Sequence, residues 1–91
     1  MKPDRSPKER KPPLWYVYIL LCKGDFLYTG ITKDLARRFK AHQNRSVKFT
    51  SYNPPVKIVH TENFATKSQA LKREAQIKKL KKEAKLALVQ Q

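Results

Sequence analysis

Acidic residues are scarce in this chain of 91 residues: 7 Asp and Glu stand against 21 Lys and Arg, a formal net charge of +14. That excess goes far beyond what solubility requires. It draws in polyanions, chiefly nucleic acid, with an anionic membrane as the competing partner. Cysteine is nearly absent. Cys22 stands alone in an apolar run, which excludes an internal disulfide and a Cys-rich zinc site and fits a cytoplasmic location. No apolar run approaches transmembrane length, and the basic N-terminus lacks the apolar stretch of a signal peptide. No Walker loop, zinc-ligand spacing or serine-nucleophile motif is present. Charge of this kind is shared by ribosomal and chromatin-like proteins, so it names no activity.

The chain is long enough for one domain with a modest core, burying roughly 60% of its surface. Residues 1–13 carry Pro3, Pro7, Pro12 and Pro13, five basic residues and almost nothing apolar. Such a segment cannot offset its ordering entropy and is expected to be a disordered basic tail. The domain is expected over residues 14–91. Residues 15–22 (WYVYILLC) read as a strand buried on both faces, residues 23–25 as a turn and residues 26–31 as a second strand, giving a hairpin. Thr32 or Asp34 can cap a helix through about Gln43, with Leu35 and Phe39 facing the core. Residues 44–55 read as a polar loop and residues 56–62 as a third strand. Thr66 and Gln69 form a capping box for a helix to about Leu80. Residues 82–89 are helical too, and with no Gly or Pro between them the last two segments read as one helix or two. The order β-β-α-β-α-(α) predicts an α+β domain: a small three-stranded antiparallel sheet flanked by helices.

With Gly24 at the centre of the turn, paired residues sum to 48, and Tyr18 and Tyr28 become diagonal neighbours on one sheet face. Gly30 lies on that face too, leaving room for a backbone or ligand to approach. Paired tyrosines on a strand are ordinarily core aromatics. Arg38 and His42, four apart, stack on a stripe bordering the Leu35–Phe39 stripe, where helix meets sheet. A snorkelling arginine and a half-buried histidine would account for them equally. On the second helix, Ala70, Leu71, Ile77 and Leu80 define an apolar stripe with Glu74 inside it. A carboxylate facing a core must be paired, protonated or metal-bound. Together, two phenols, a guanidinium, an imidazole and a carboxylate suit phosphodiester hydrolysis.

These residues resemble the signature of the GIY-YIG nuclease family. Tyr16-Val17-Tyr18 matches the first motif and Tyr28-Thr29-Gly30 the second, ten positions on. Arg38 follows Tyr28 by ten, and His42 stands four later, where relatives carry His or Tyr. Glu74 lies in a segment similar to the family's metal-binding helix. The likeness spans residues 15–89 and looks closest to small stand-alone bacterial members. It implies Glu74 as ligand of one divalent cation, Mg²⁺ or Mn²⁺, and Arg38 as phosphate clamp. Tyr18 and Tyr28 are implied as general base or water-positioning groups, with His42 assisting proton transfer or orienting a tyrosine. The chain departs from the family at Tyr16, which replaces the opening glycine, and at Thr29, where Ile or Val is common. It has no asparagine after Asn63, Ile31 stands where some relatives have lysine, and Phe49 where tyrosine is common.

Arg37, Lys40, Arg45, Lys48 and Lys57 are expected to flank the site and track a phosphate backbone. Eight basic residues between Lys67 and Lys85 read equally as a solvated helix face or as DNA contacts. No element is suited to base readout, so sequence preference should be weak and selection by DNA structure or damage is plausible. The expected function is a metal-dependent DNA endonuclease, with RNA not excluded as substrate and a larger repair or recombination protein as a possible partner. The alternative is a non-catalytic nucleic-acid-binding module keeping the fold. A membrane partner is not expected.

Overall fold

A computed structural model of the chain describes residues 14–44, 47 and 52–89. The expected tail, residues 1–13, lies outside them, as do Arg45, Lys48 and Phe49. The described chain is an α+β domain: β1 (Trp15–Cys22), β2 (Phe26–Thr32), α1 (Leu35–Gln43), β3 (Pro55–Phe64), α2 (Lys67–Lys78) and α3 (Lys82–Val89). The strands form one antiparallel sheet in the order β2-β1-β3. The most apolar segment is therefore the central strand, and Val17, Tyr18, Ile19, Leu20 and Cys22 are all buried.

The hairpin has the expected register. Gly24 (φ 82°) and Asp25 (φ 62°) turn the chain, and Tyr18 pairs with Gly30, Leu20 with Tyr28. Period-2 alternation then sorts β1 onto two faces. Val17 and Ile19 pack with Ala70 and Ile77 of α2, and Leu88 and Val89 of α3 join them. Tyr18, Leu20 and Cys22 face the other way, with Tyr28, Leu35, Phe39 and Ile58. β3 runs longer than expected and is irregular: Ile19 pairs with His60 but Leu20 with Ile58, so Val59 is an extra residue, a β-bulge.

Asp34, rather than Thr32, caps α1, its carboxylate accepting from Arg37 N–H at 3.0 Å. Thr32 supports the cap, its hydroxyl accepting from Asp34 N–H at 3.1 Å. The Thr66/Gln69 capping box is complete. The last two segments are two helices. A single helix from Lys67 to Val89 would run straight on for roughly 35 Å. The chain instead tightens after Lys78, Leu80 N–H reaching Ile77 C=O at 3.0 Å, and α3 brings Leu88 and Val89 to the core. Of the expected stripe on α2, Ala70 and Ile77 are buried and Leu80 partly so, but Leu71 is 44% exposed. At 100° per residue it sits a quarter-turn from Ala70, off the narrow line that a sheet can cover.

Candidate active site

The α1 face of the hairpin carries a polar cluster. Tyr18 is directly opposite Gly30, and its ring lies across the glycine: a Cβ there would sit 2.5 Å from the phenol oxygen and 2.7 Å from Cζ. The group that occupies the space left by Gly30 is thus the chain's own phenol. Tyr28 is the diagonal neighbour, its ring centroid 6.3 Å from that of Tyr18. One turn apart on α1, Arg38 and His42 both point at these rings. Arg38 Nε donates to the Tyr18 hydroxyl at 3.3 Å, and His42 Nε2 lies 2.9 Å from the same oxygen. The Tyr28 and His42 rings meet edge-on, centroids 4.9 Å apart.

Protonation states follow. Burial pushes the Tyr18 phenol above its ordinary value and outweighs the opposing hydrogen bond from Arg38, with Tyr28 and Glu74 adding to the rise. His42 is fully buried, and burial together with the Arg38 charge lowers its imidazole to about 4. Arg38 is held charged by its hydrogen bond to Tyr18, and a hydrogen bond with Tyr28 acts in the same direction. A guanidinium has only donors, so the phenol oxygen accepts from Arg38 and its O–H is left for a neutral His42 Nε2. At neutral pH the cluster holds a charged Arg38, a protonated Tyr18 and an uncharged His42, with the Tyr28 ring packed against them.

Glu74 lies on α2, across the sheet from α1. On α2 it lies one turn after Ala70, turned about 40° from it on the side opposite Arg73 and Ile77. Arg73 leans over β3 to bind Glu62, so the Glu74 flank lies over β2. The Glu74 side chain is 18% exposed, and its ion-pair partner among the described residues is Lys78, Nζ to Oε2 3.3 Å. The carboxylate makes no hydrogen bond to the phenols or to Arg38 among the described residues, but it is near enough to help raise the Tyr18 pKa. Four of the five expected side chains are therefore in direct contact, and the fifth acts on Tyr18 through its field. One carboxylate with an oxygen to spare matches what Mg²⁺ asks of a protein, since that ion takes one or two carboxylates and fills its shell with water and phosphate oxygens. Among the described residues no group of three His, Cys, Asp or Glu could form a closed metal cage.

Of the expected backbone-tracking residues, Arg37 lines a cleft of about 330 Å³ with Arg38, Lys33 and Asp34. Lys40 is exposed on α1. Lys57 does not flank the cluster: it pairs with Leu21, whose side chain belongs to the α2 face of the sheet. Its parity along β3, invisible without the register, sends it away from Tyr18.

A second polar cluster escaped the sequence. Glu62 accepts from Arg73 Nε at 2.8 Å and from the Arg73 terminal nitrogen at 3.1 Å, and His60 Nε2 lies 2.8 Å from Glu62 Oε2. Arg73, followed by His60, holds Glu62 below the usual carboxylate range. His60 and Glu62, two apart on a strand, already share a face; that was the available signal.

The three-stranded antiparallel sheet with its helices is the fold of a GIY-YIG nuclease-type domain. The chain belongs to that family, the GIY-YIG catalytic domain matching residues 14–87. Its relatives within the family are UPF0213 proteins. One from Cupriavidus necator is 45% identical over 78 residues, 85% of this chain and 85% of its own length. Another, from Clostridium perfringens, is 49% identical over 75 residues, 81% of each chain. The solution NMR structure of a UPF0213 protein from Bacillus halodurans has a TM-score of 0.56 at 38% identity, covering 85% of this chain and 83% of that one. GIY-YIG membership carries nuclease-type chemistry on nucleic acid in general, and such nucleases use a divalent metal. No helix among the described residues is long and apolar enough to cross a membrane.

Proposed function

We propose that the protein is a metal-dependent endonuclease that hydrolyses DNA phosphodiester bonds, selecting by DNA structure more than by sequence. The observation that carries this reading is Arg38, a guanidinium fixed between two phenols at the mouth of a basic cleft, with Glu74 within electrostatic reach. Arg38 clamps a non-bridging oxygen of the scissile phosphate and stabilises the charge that builds there. Tyr18, a neutral phenol bonded to Arg38 and His42, is poorly placed to act as base by itself; it orients the guanidinium and keeps it aimed. Tyr28 is only half-buried and is the phenol that meets water, positioning it for attack. His42, neutral, accepts the hydrogen bond of the Tyr18 hydroxyl and fixes the ring. Glu74 would hold the cation, Mg²⁺ or Mn²⁺, which supplies charge neutralisation and a more acidic bound water. Arg37 and Lys40 give sequence-independent phosphate contacts, and we assign the same role to Arg45 and Lys48. A cytoplasmic site of action and a larger repair or recombination partner complete the proposal.

Purified protein with nicked, branched and plasmid DNA, plus an RNA arm, tests it. Cleavage is expected with Mg²⁺ or Mn²⁺, abolished by chelator and removed by Glu74→Ala and by Arg38→Ala. Wild type and Glu74→Ala equally inert, both still binding DNA, would establish the non-catalytic binding module instead.

A further inference from the structure

On the α1 side the proposed site opens into the Arg37–Arg38 cleft. On the α2 side of Tyr28 there is another cleft, of about 240 Å³, lined by Leu27, Tyr28, Thr29, Lys78 and Lys85. Its charged lining is two lysines from successive helices and no acid. Lys78 is also the residue paired with Glu74, so this cleft and the proposed cation ligand share a wall.

Thr29 supplies an independent observation. It is 3% exposed, and its hydroxyl is buried with no hydrogen-bond partner among the described residues. Its side chain lies on the Ile19 face of the hairpin, toward α2, as Leu27 does. Buried hydroxyls are nearly always bonded, and leaving one unmade is costly. Valine would fill the same volume without that loss, so packing alone does not account for a threonine. Two lysines lining one cleft, Lys78 tethered to Glu74 by a single ion pair, and an unpartnered threonine hydroxyl in its wall suit a tetrahedral anion, which takes lysines as point charges and hydroxyls as donors.

We propose that this cleft is a phosphate subsite, holding the nucleic-acid phosphodiester next to the one clamped by Arg38. It rests on the reading of the site as one that takes a nucleic-acid strand. The strand then runs from Arg37 and Arg38, past Tyr28, to Lys78 and Lys85. Lys78 has two acceptors in reach, the Glu74 carboxylate in the free protein and the phosphate when a strand enters.

The test is anisotropy titration of a fluorescein-labelled branched DNA with the full chain in chelator, where nothing is cut. K78Q and K85Q should each weaken binding about five- to tenfold and each lower the salt slope by about 1. T29V should weaken it about threefold while melting no lower than wild type, which separates lost contact from lost folding. The control is K79Q, which removes an identical charge at the end of α2 from an exposed residue that lines neither cleft; it should change binding by under about twofold. K78Q and K85Q no weaker than K79Q, or T29V binding as tightly as wild type, overturns the subsite. Cleavage by wild type is scored separately: binding differences without cleavage leave the subsite standing and remove the hydrolase reading, whereas cleavage without binding differences removes the subsite alone.

Discussion

Two half-buried carboxylates, Glu62 on β3 beneath one flank of α2 and Glu74 on the other flank of α2 itself, are treated very differently. Glu62 is saturated: a forked Arg73 and His60 engage both of its oxygens, and its pKa is pulled down. Glu74 is equally sheltered, at 18% side-chain exposure against 22%, yet its ion pair is one lysine that is itself 54% exposed. A bidentate arginine pair is a structural clamp, whereas a single mobile ammonium is easily exchanged for another cation. Shelter alone does not mark a working carboxylate; unused coordinating capacity does.

Exchanging the two tests that contrast most sharply. Glu74→Gln should cut cleavage by at least about 100-fold while leaving the urea midpoint close to wild type. Glu62→Gln should do the reverse, costing about 1–3 kcal/mol of stability with the cleavage rate of folded protein kept. Equal effects of the two on cleavage would erase the distinction.

The phenol cluster can be broken from beneath. At Gly30→Ala the new methyl meets a ring already held by Arg38 and His42, so Tyr18 must move as a unit. A loss of about 2–3 kcal/mol in chemical denaturation is expected, together with loss of cleavage. Wild-type stability in that variant would mean that the ring is not pinned over the glycine.

A smaller effect comes from acid. The folded pKa of His42, about 4, lies below its unfolded value near 6.5, so the unfolded chain takes up the proton first. The stability this contributes is complete above pH 6.5 and drains away as pH falls toward 4. Between pH 7 and pH 5 the loss should be about 2 kcal/mol, read from urea midpoints. His42→Asn should flatten that slope. Glu62, held low by Arg73, loses its contribution only at more acidic pH and so does not mask the effect. A wild-type profile already flat from pH 7 to 5 would contradict the burial of the imidazole.

Much of this was legible in the sequence because it depends on local periodicity. The turn at Gly24 fixed which residues of the hairpin face each other, and four-residue spacing on α1 put Arg38 beside His42. What could not be read depends on distance in sequence. The Tyr18–His42 bond spans 24 residues, and the Glu62–Arg73 clamp joins a strand to a helix whose placement only the core decides. Lys57 falls on the sheet face away from Tyr18, which could not be read because strand parity cannot be counted through an irregular register. The break between α2 and α3 has no Gly or Pro to announce it; it is made by packing, α3 bringing Leu88 and Val89 back to the core.

The extra residue at Val59 acts as a phase shift in an otherwise binary code. Before it, Ile58 falls on the side of Leu20 and Tyr28; after it, Glu62 falls on the side of Arg73. Without that insertion one half of the strand would present its side chains to the wrong layer. Deleting Val59 would therefore trade one cluster against the other, and length-changing edits to this edge strand would be far less tolerable than any change of residue type along it.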